Sequence, residues 1–212
     1  MDYLKDPAAI YAKSFATIRA EVNLSELPND VAEAAVRMIH ACGMTDLIKD
    51  LIFSADVAAS AAAALARGAS IITDCEMVRA GIISALLPAD NALICALNEP
   101  TVARLAREGS TTRSAAQVAL WAPHLPGSVV VIGNAPTALF ALLEALDAGA
   151  VRPAAIIACP VGFVGAVESK AELASNPRGV PFLTVVGRRG GSALASAALN
   201  ALSQIARARV AA

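Results

Sequence analysis

The sequence predicts an α/β protein of three layers, in which helices cover both faces of a mostly parallel central sheet. Six short apolar runs, rich in β-branched residues, alternate along the chain with stretches of helical periodicity. These runs are continuously apolar, as expected of strands that are buried on both faces. Hydrophobic residues make up 57% of the chain, and its many alanines allow helices to pack closely on a sheet.

Two helices are predicted before the first strand. The first covers residues 7–22, with Asp6 placed to cap its N-terminus. The second covers residues 28–42 and ends at Gly43, a residue suited to the turn that follows a helix. Its apolar stripe comprises Val31, Ala34, Ala35, Met38, Ile39 and Cys42. The other side is predicted to hold Glu33, Val36, Arg37 and His40.

The remaining elements alternate between strand and helix. The predicted strands are residues 51–53, 70–73, 92–95, 128–132, 155–158 and 182–186. The predicted helices are residues 56–67, 75–80, 101–107, 112–121, 136–148, 168–174 and 191–207. We find no internal repeat, low-complexity tract or linker, so residues 1–212 are expected to form a single domain.

The composition argues against several classes of protein. The longest uncharged run, residues 125–143, contains two prolines and two glycines, which argues against a membrane-spanning helix. The first residues lack the basic head and apolar core of a signal peptide. A net charge of −1 and an aromatic content of 4% argue against nucleic-acid binding. We therefore expect a cytoplasmic protein that binds neither membranes nor nucleic acid.

The four cysteines, Cys42, Cys75, Cys95 and Cys159, are not spaced as a zinc or redox motif. Each has apolar neighbours in the sequence, so we interpret them as small buried residues.

The predicted fold also indicates where a ligand binds. In a parallel sheet, the loops after the carboxyl ends of the strands form the binding crevice. Polar residues and glycines follow four of the predicted strands, in residues 73–76, 133–137, 159–163 and 187–192. We therefore expect these four loops to surround a common site.

Several of these loop residues are open to two interpretations. The loop 187–192 can hold an anion on its backbone N–H groups or be a solvated turn, and it matches neither phosphate-binding fingerprint. Asn134 and Thr137 can cap the next helix or contact a ligand. Arg113 opposes the dipole at the start of its predicted helix, which indicates a contact outside that helix.

His40 is one of only two histidines, and it falls in the last turn of the second predicted helix. The helix dipole there favours an imidazolium, whereas Arg37 on the same side opposes it. A histidine off the apolar stripe suits proton donation, although a lone histidine is more often structural than catalytic. His124 lies between prolines and is interpreted as a loop residue.

Seven segments, in order along nearly the whole chain, resemble the precorrin-8X methylmutase family of corrin biosynthesis. They lie at residues 14–19 (SFATIR), 37–43 (RMIHACG), 73–78 (TDCEMV), 112–115 (TRSA), 133–137 (GNAPT), 160–170 (PVGFVGAVESK) and 187–192 (GRRGGS).

The resemblance implies a homodimeric isomerase that moves a methyl group from C-11 to C-12 of the macrocycle. In the aerobic branch this step turns precorrin-8X into hydrogenobyrinate, and both a metal-free and a cobalt-containing substrate fit the resemblance. It implies that His40 protonates the ring C nitrogen, or hydrogen-bonds to it, and so eases a 1,5-sigmatropic shift. No metal or organic cofactor is implied. The residues expected to bind the substrate are Ser14, Arg19, Thr73, Arg113, Ser114, Asn134, Thr137, Glu168, Lys170, Gly187, Arg188, Gly190, Gly191 and Ser192.

The arginine content agrees with such a substrate. Thirteen arginines stand against four lysines, and arginine grips the carboxylates of acetate and propionate side chains well. A corrinoid carrier that shields an intermediate and hands it to other pathway enzymes is the alternative. A third hypothesis, a nucleotide-binding enzyme, is supported by fold analogy alone.

Overall fold

The computed structural model describes residue 1 and residues 3–211, and it confirms the three-layer α/β/α prediction. The strands are β1 (Leu51–Phe53), β2 (Ile71–Thr73), β3 (Leu93–Ile94), β4 (Val129–Ile132), β5 (Ala155–Ala158) and β6 (Phe182–Val185). They form one sheet in the order β1-β6-β5-β4-β2-β3. All neighbouring strands are parallel except β1, which runs antiparallel to β6.

Nine α-helices lie within the described residues, and they match the predicted ones closely. They are α1 (Pro7–Glu21), α2 (Asn29–Cys42), α3 (Val57–Ala66), α4 (Glu76–Gly81), α5 (Pro100–Glu108), α6 (Arg113–Ala116), α7 (Pro136–Asp147), α8 (Ala166–Ser175) and α9 (Ser192–Ala211). Short 3₁₀ segments cover Thr45–Asp50, Ser84–Leu86 and Gln117–Trp121. The predicted helix 112–121 is therefore α-helical only to Ala116 and winds more tightly after it. In the part of the chain that the structure describes, no helix is both long and apolar enough to cross a bilayer.

The sheet is buried on both faces, and its side chains alternate between two core layers. Val129 and Val131 pack with residues of α2, α3 and α9, whereas Val130 and Ile132 pack with residues of α7. All four are fully buried. The alternation explains why the strands read as continuous apolar runs in the sequence.

The predicted ends of the first two helices are confirmed, whereas the predicted position of Val36 is wrong. Asp6 accepts the N–H of Ala9 at 2.7 Å, and Gly43 adopts φ 70° after α2. Val36 is wholly buried, so its predicted place on the side away from the core is wrong. Both α1 and α9 pack on α2, and this gives α2 a wider buried face than one apolar stripe.

Candidate active site

His40 is held by side chains of α1, the helix that packs on α2. Ser14 Oγ lies 2.8 Å from Nδ1 of His40. The rings of Tyr11 and Phe15 lie 5.1 and 5.3 Å from the imidazole, centroid to centroid. Residues 11, 14 and 15 share one helical face, so a single turn of α1 fixes the ring. His40 is only half-buried, and no described residue hydrogen-bonds to its Nε2.

Two cavities meet at His40. One, of about 430 Å³, lies between α1 and the end of α2 and is lined by Ser14. The other, of about 440 Å³, is lined by Tyr11, Arg37, His40, Ala41, Met77, Gly81, Ile83, Ser192, Ala193, Ser196, Ala197 and Asn200. Only the second reaches residues that follow strands β2 and β6. We call it the His40 pocket and take it as the candidate active site.

The loop 187–192 is clamped against the end of β5 at one wall of this pocket. Gly191 N donates to the carbonyl of Cys159 at 2.8 Å. A Cβ on Gly190 would lie 2.3 Å from that carbonyl oxygen and 2.6 Å from the carbonyl oxygen of Pro160. Glycine is therefore required at position 190, because the backbone there lies so close to that of residues 159 and 160. Two residues later, Ser192 begins α9 and lines the pocket.

Lys170 supports the same loop from within the protein. Its side chain is fully buried, and Nζ donates to the carbonyl oxygen of Arg189. Burial lowers the pKa of Lys170 to about 8. The Arg189 guanidinium pairs with Asp46 at 2.7 Å and Asp50 at 3.3 Å. The structure thus engages Lys170 and Arg189 in holding the loop, and neither lines the His40 pocket.

Asp74 organises a second loop at the ends of the strands. Its buried carboxylate accepts the backbone N–H groups of Gly133, Asn134 and Ala135 at 2.9, 2.9 and 2.7 Å. Desolvation raises the pKa of Asp74, although these hydrogen bonds oppose the shift. A Cβ on Gly133 would lie 2.7 Å from Cα of Ser192, so the two loops touch.

The capping interpretation of Asn134 and Thr137 is wrong, because neither side chain caps α7. Asp74 takes the N–H groups of that turn instead. Thr137 Oγ1 lies 2.8 Å from Oγ1 of Thr112, which in turn caps α6 through the N–H of Ala115.

Arg113 does reach outside its helix, as predicted. Its guanidinium donates to the carbonyl of Leu97 and to Oδ1 of Asn98, at 2.8 and 3.0 Å. Ser114 beside it is half-buried. Thr73 is fully buried and donates to the carbonyl of Ile94 at 3.1 Å.

Three other predicted residues lie on the surface. Arg19 forms an ion pair with Glu33 at 2.7 Å, which links α1 to α2. Glu168 is exposed near the start of α8. Arg188 stacks over Phe163, 5.1 Å from the ring centroid, and this phenyl ring is 84% exposed.

Of the predicted site residues, the described structure brings His40 and Ser192 together in the His40 pocket, with Ser14 bonded to the imidazole. The others predicted as substrate ligands are not among the residues that line it, and their binding role stays a prediction. The sequence did not predict the contacts of Tyr11 and Phe15 with His40 or the role of Asp74 in the turn at residues 133–135. One sequence signal was available for Asp74, which is an acid placed directly after a buried strand.

All four cysteines are free, but only Cys75 and Cys159 are buried, so the prediction of four buried cysteines is wrong for Cys42 and Cys95. Within residues 1 and 3–211, no group of three or more histidine, cysteine, aspartate or glutamate side chains is placed to hold a metal ion.

Comparison with known proteins gives one consistent result. The profile of the family described as "Precorrin-8X methylmutase" matches residues 9–205. A precorrin-8X methylmutase of Pseudomonas aeruginosa is 59% identical over 203 residues, which cover 96% of this chain and 98% of that protein. One of Sinorhizobium sp is 55% identical, over 96% of this chain and 97% of that protein.

More distant relatives include a cobalt-precorrin-8 methylmutase of Salmonella typhimurium. It is 37% identical, over 95% of this chain and 97% of that protein. A solved structure of a precorrin-8X methylmutase from Thermus thermophilus superposes with a TM-score of 0.86 at 35% identity. It covers 95% of this chain and 97% of that one.

Proposed function

Since the chain belongs to the precorrin-8X methylmutase family, we propose that it isomerises precorrin-8X to hydrogenobyrinate with His40 as the acid. The reaction moves one methyl group from C-11 to C-12 of the macrocycle. It is an intramolecular rearrangement of corrin biosynthesis, so the protein needs mainly to hold one conformer and to supply a proton.

The observation that carries the proposal is the placement of His40. Nδ1 is engaged by Ser14, which leaves Nε2 as the ring nitrogen available to a ligand. In the proposed mechanism, Nε2–H donates to the ring C nitrogen, either as a hydrogen bond or by proton transfer. This draws electron density from the macrocycle and lowers the barrier to the 1,5-sigmatropic methyl shift.

Arg37 adds a substrate contact that we did not predict. It lines the His40 pocket, and its guanidinium donates to the neutral amide of Gln204 at 2.8 Å. Arg19 and Arg189, in contrast, are already paired with carboxylates of the protein. We therefore assign a substrate carboxylate to Arg37, and keep Arg113 and Arg188, whose partners are neutral, as further candidates.

The metal-free substrate is favoured over the cobalt-containing one. The two relatives at 55% and 59% identity are named for precorrin-8X, whereas a relative named for cobalt-precorrin-8 is 37% identical. Parallel assays with metal-free and cobalt-containing substrate test this assignment. Faster turnover of the metal-free substrate is the expected result.

We further propose that residues 1–212 form one domain and that the protein is a homodimer. We also propose that it is cytoplasmic and hands its product to other enzymes of the corrin pathway. Phe163 and Val164 are 84% and 88% exposed, and this apolar loop supports association with a second copy. Sedimentation analysis should give twice the mass of one chain, and Val164→Glu should reduce it.

Chromatography of the recovered pigment tests the proposed function against the carrier alternative. Incubation of the purified protein with precorrin-8X should yield hydrogenobyrinate, with a change in the visible spectrum because conjugation changes. Recovery of unchanged precorrin-8X in stoichiometric complex with the protein would support the carrier instead. The names of the relatives disfavour that outcome.

A further inference from the structure

Ser14 uses its hydroxyl differently from the neighbouring hydroxyl on the same helix. Thr17 Oγ1 donates to the carbonyl of Lys13 within α1, which is the usual local bond of a helical hydroxyl. Ser14 Oγ instead reaches across to Nδ1 of His40, 26 residues further along the chain. Among the described residues it has no other hydrogen-bond partner, so His40 is the one protein group that its hydroxyl engages.

This contact favours one tautomer of the neutral imidazole. If Ser14 donates to Nδ1, its proton is satisfied and the imidazole proton lies on Nε2. If Ser14 accepted from Nδ1–H, its own proton would have no acceptor among the described residues. The first arrangement makes Nε2 a donor, which is the role that the proposed mechanism requires.

The same hydroxyl stays bonded through a complete proton transfer. When His40 takes a second proton from solvent at Nδ1, Ser14 Oγ changes from donor to acceptor. The imidazolium then gives its Nε2 proton to the ring C nitrogen, and the neutral ring that remains is protonated at Nδ1. After the methyl shift the ring C nitrogen returns this proton to Nε2, because the isomerisation consumes no proton. Ser14 still accepts a hydrogen bond from Nδ1–H, so the imidazole keeps one orientation throughout the proton transfer.

We infer that Ser14 is a positioning residue for His40, which holds the imidazole so that Nε2 presents its proton to the substrate. Tyr11 and Phe15 assist by restricting rotation of the ring. The inference rests on the proposed function, and it assigns Ser14 to His40 rather than to the substrate.

Steady-state kinetics separate the two roles of Ser14. Ser14→Ala should lower kcat about 10-fold with little change in KM, because the catalytic group is misplaced while binding is kept. Ser14→Thr, which retains a hydroxyl, should restore most of kcat. A raised KM with unchanged kcat would identify a substrate ligand and overturn the inference. Ser175→Ala is the matched control, because that exposed hydroxyl only bonds the carbonyl of Glu172.

Nitrogen-15 NMR of histidine-labelled protein gives a readout that does not depend on turnover. The chain has two histidines, so His124→Asn assigns the His40 signals by subtraction. In the wild type Nε2 should carry the proton, and in Ser14→Ala the signals should move towards a mixture of tautomers. An unchanged tautomer in Ser14→Ala would overturn the inference. Absence of turnover by the wild type would instead overturn the proposed function, and the tautomer result would still stand.

Discussion

Lys170 Nζ donates a hydrogen bond to the carbonyl oxygen of Arg189 from a fully buried position beneath the 187–192 loop. The loop borders the His40 pocket through Ser192, so a buried cation on α8 helps to shape a wall of the candidate active site. Burial of a charged ammonium is energetically unfavourable, so the stability of the folded state depends on pH through Lys170.

Lys170 should make the stability of the protein rise with pH. Its pKa is lowered to about 8 in the folded state, from 10.5, by burial. Between these values the unfolded chain binds more protons than the folded one, so raising the pH stabilises the folded state by about 1 kcal/mol per pH unit. Urea unfolding at pH 8, 9 and 10 should show this slope in the wild type relative to Lys170→Met. Parallel pH dependence of the two proteins would refute it.

Gly190→Ala should damage both folding and activity. The added Cβ would collide with the carbonyl oxygens of Cys159 and Pro160, at a cost of about 2 kcal/mol or more. Thermal unfolding and turnover of precorrin-8X measure the two effects. Gly127→Ala is the control, because a Cβ added at Gly127 would meet no neighbouring atom. Only its positive φ of 67° disfavours alanine there, and we expect this to lower the free energy of unfolding by about 1 kcal/mol. Equal losses in both variants would show that the close approach at Gly190 is unimportant.

Asp74→Asn should destabilise the turn at residues 133–135. The carboxylate accepts three N–H groups on its two oxygens. The asparagine side chain has only one oxygen, so at least one of these N–H groups would lose its acceptor. A loss of about 1–3 kcal/mol is expected in the free energy of unfolding. Denaturant unfolding measures it, with Asp56→Asn as the control, because Asp56 makes no side-chain cap to α3. Wild-type stability of Asp74→Asn would contradict this role.

Arg37→Gln should raise KM for precorrin-8X about 10-fold and change kcat less, because it removes the proposed carboxylate contact, which would be present throughout the reaction. Arg104→Gln serves as control, since Arg104 pairs with Glu108 on the exposed face of α5. If KM stays at the wild-type value in Arg37→Gln, the carboxylate contact is made elsewhere.

The fold could be predicted because its signals are local. Each buried strand reads as one apolar run, and Asp6 and Gly43 mark helix ends within a few residues. The antiparallel pairing of β1 with β6 could not be predicted, because it joins residues more than 120 positions apart. Val36 was misplaced for a similar reason, since its burial depends on the other helices that pack on α2.

The candidate site was less predictable than the fold. His40 and Ser192 were identified through their motifs, and the structure places both in one pocket. The bond from Ser14 to His40 spans two helices, and the three bonds of Asp74 span about 60 residues. No local pattern records such partners. The family resemblance implies that Arg19 binds substrate, but its ion pair with Glu33 could only be seen in three dimensions.

The acid role of His40 is tested by the turnover of precorrin-8X by His40→Asn, followed by the visible spectrum. We expect the variant to bind the substrate and kcat to fall by about 10²–10⁴-fold, because the proposed proton donor is lost. His124→Asn, which replaces the exposed histidine of a turn, should behave like the wild type. Wild-type turnover by correctly folded His40→Asn would contradict the role of His40 as the acid.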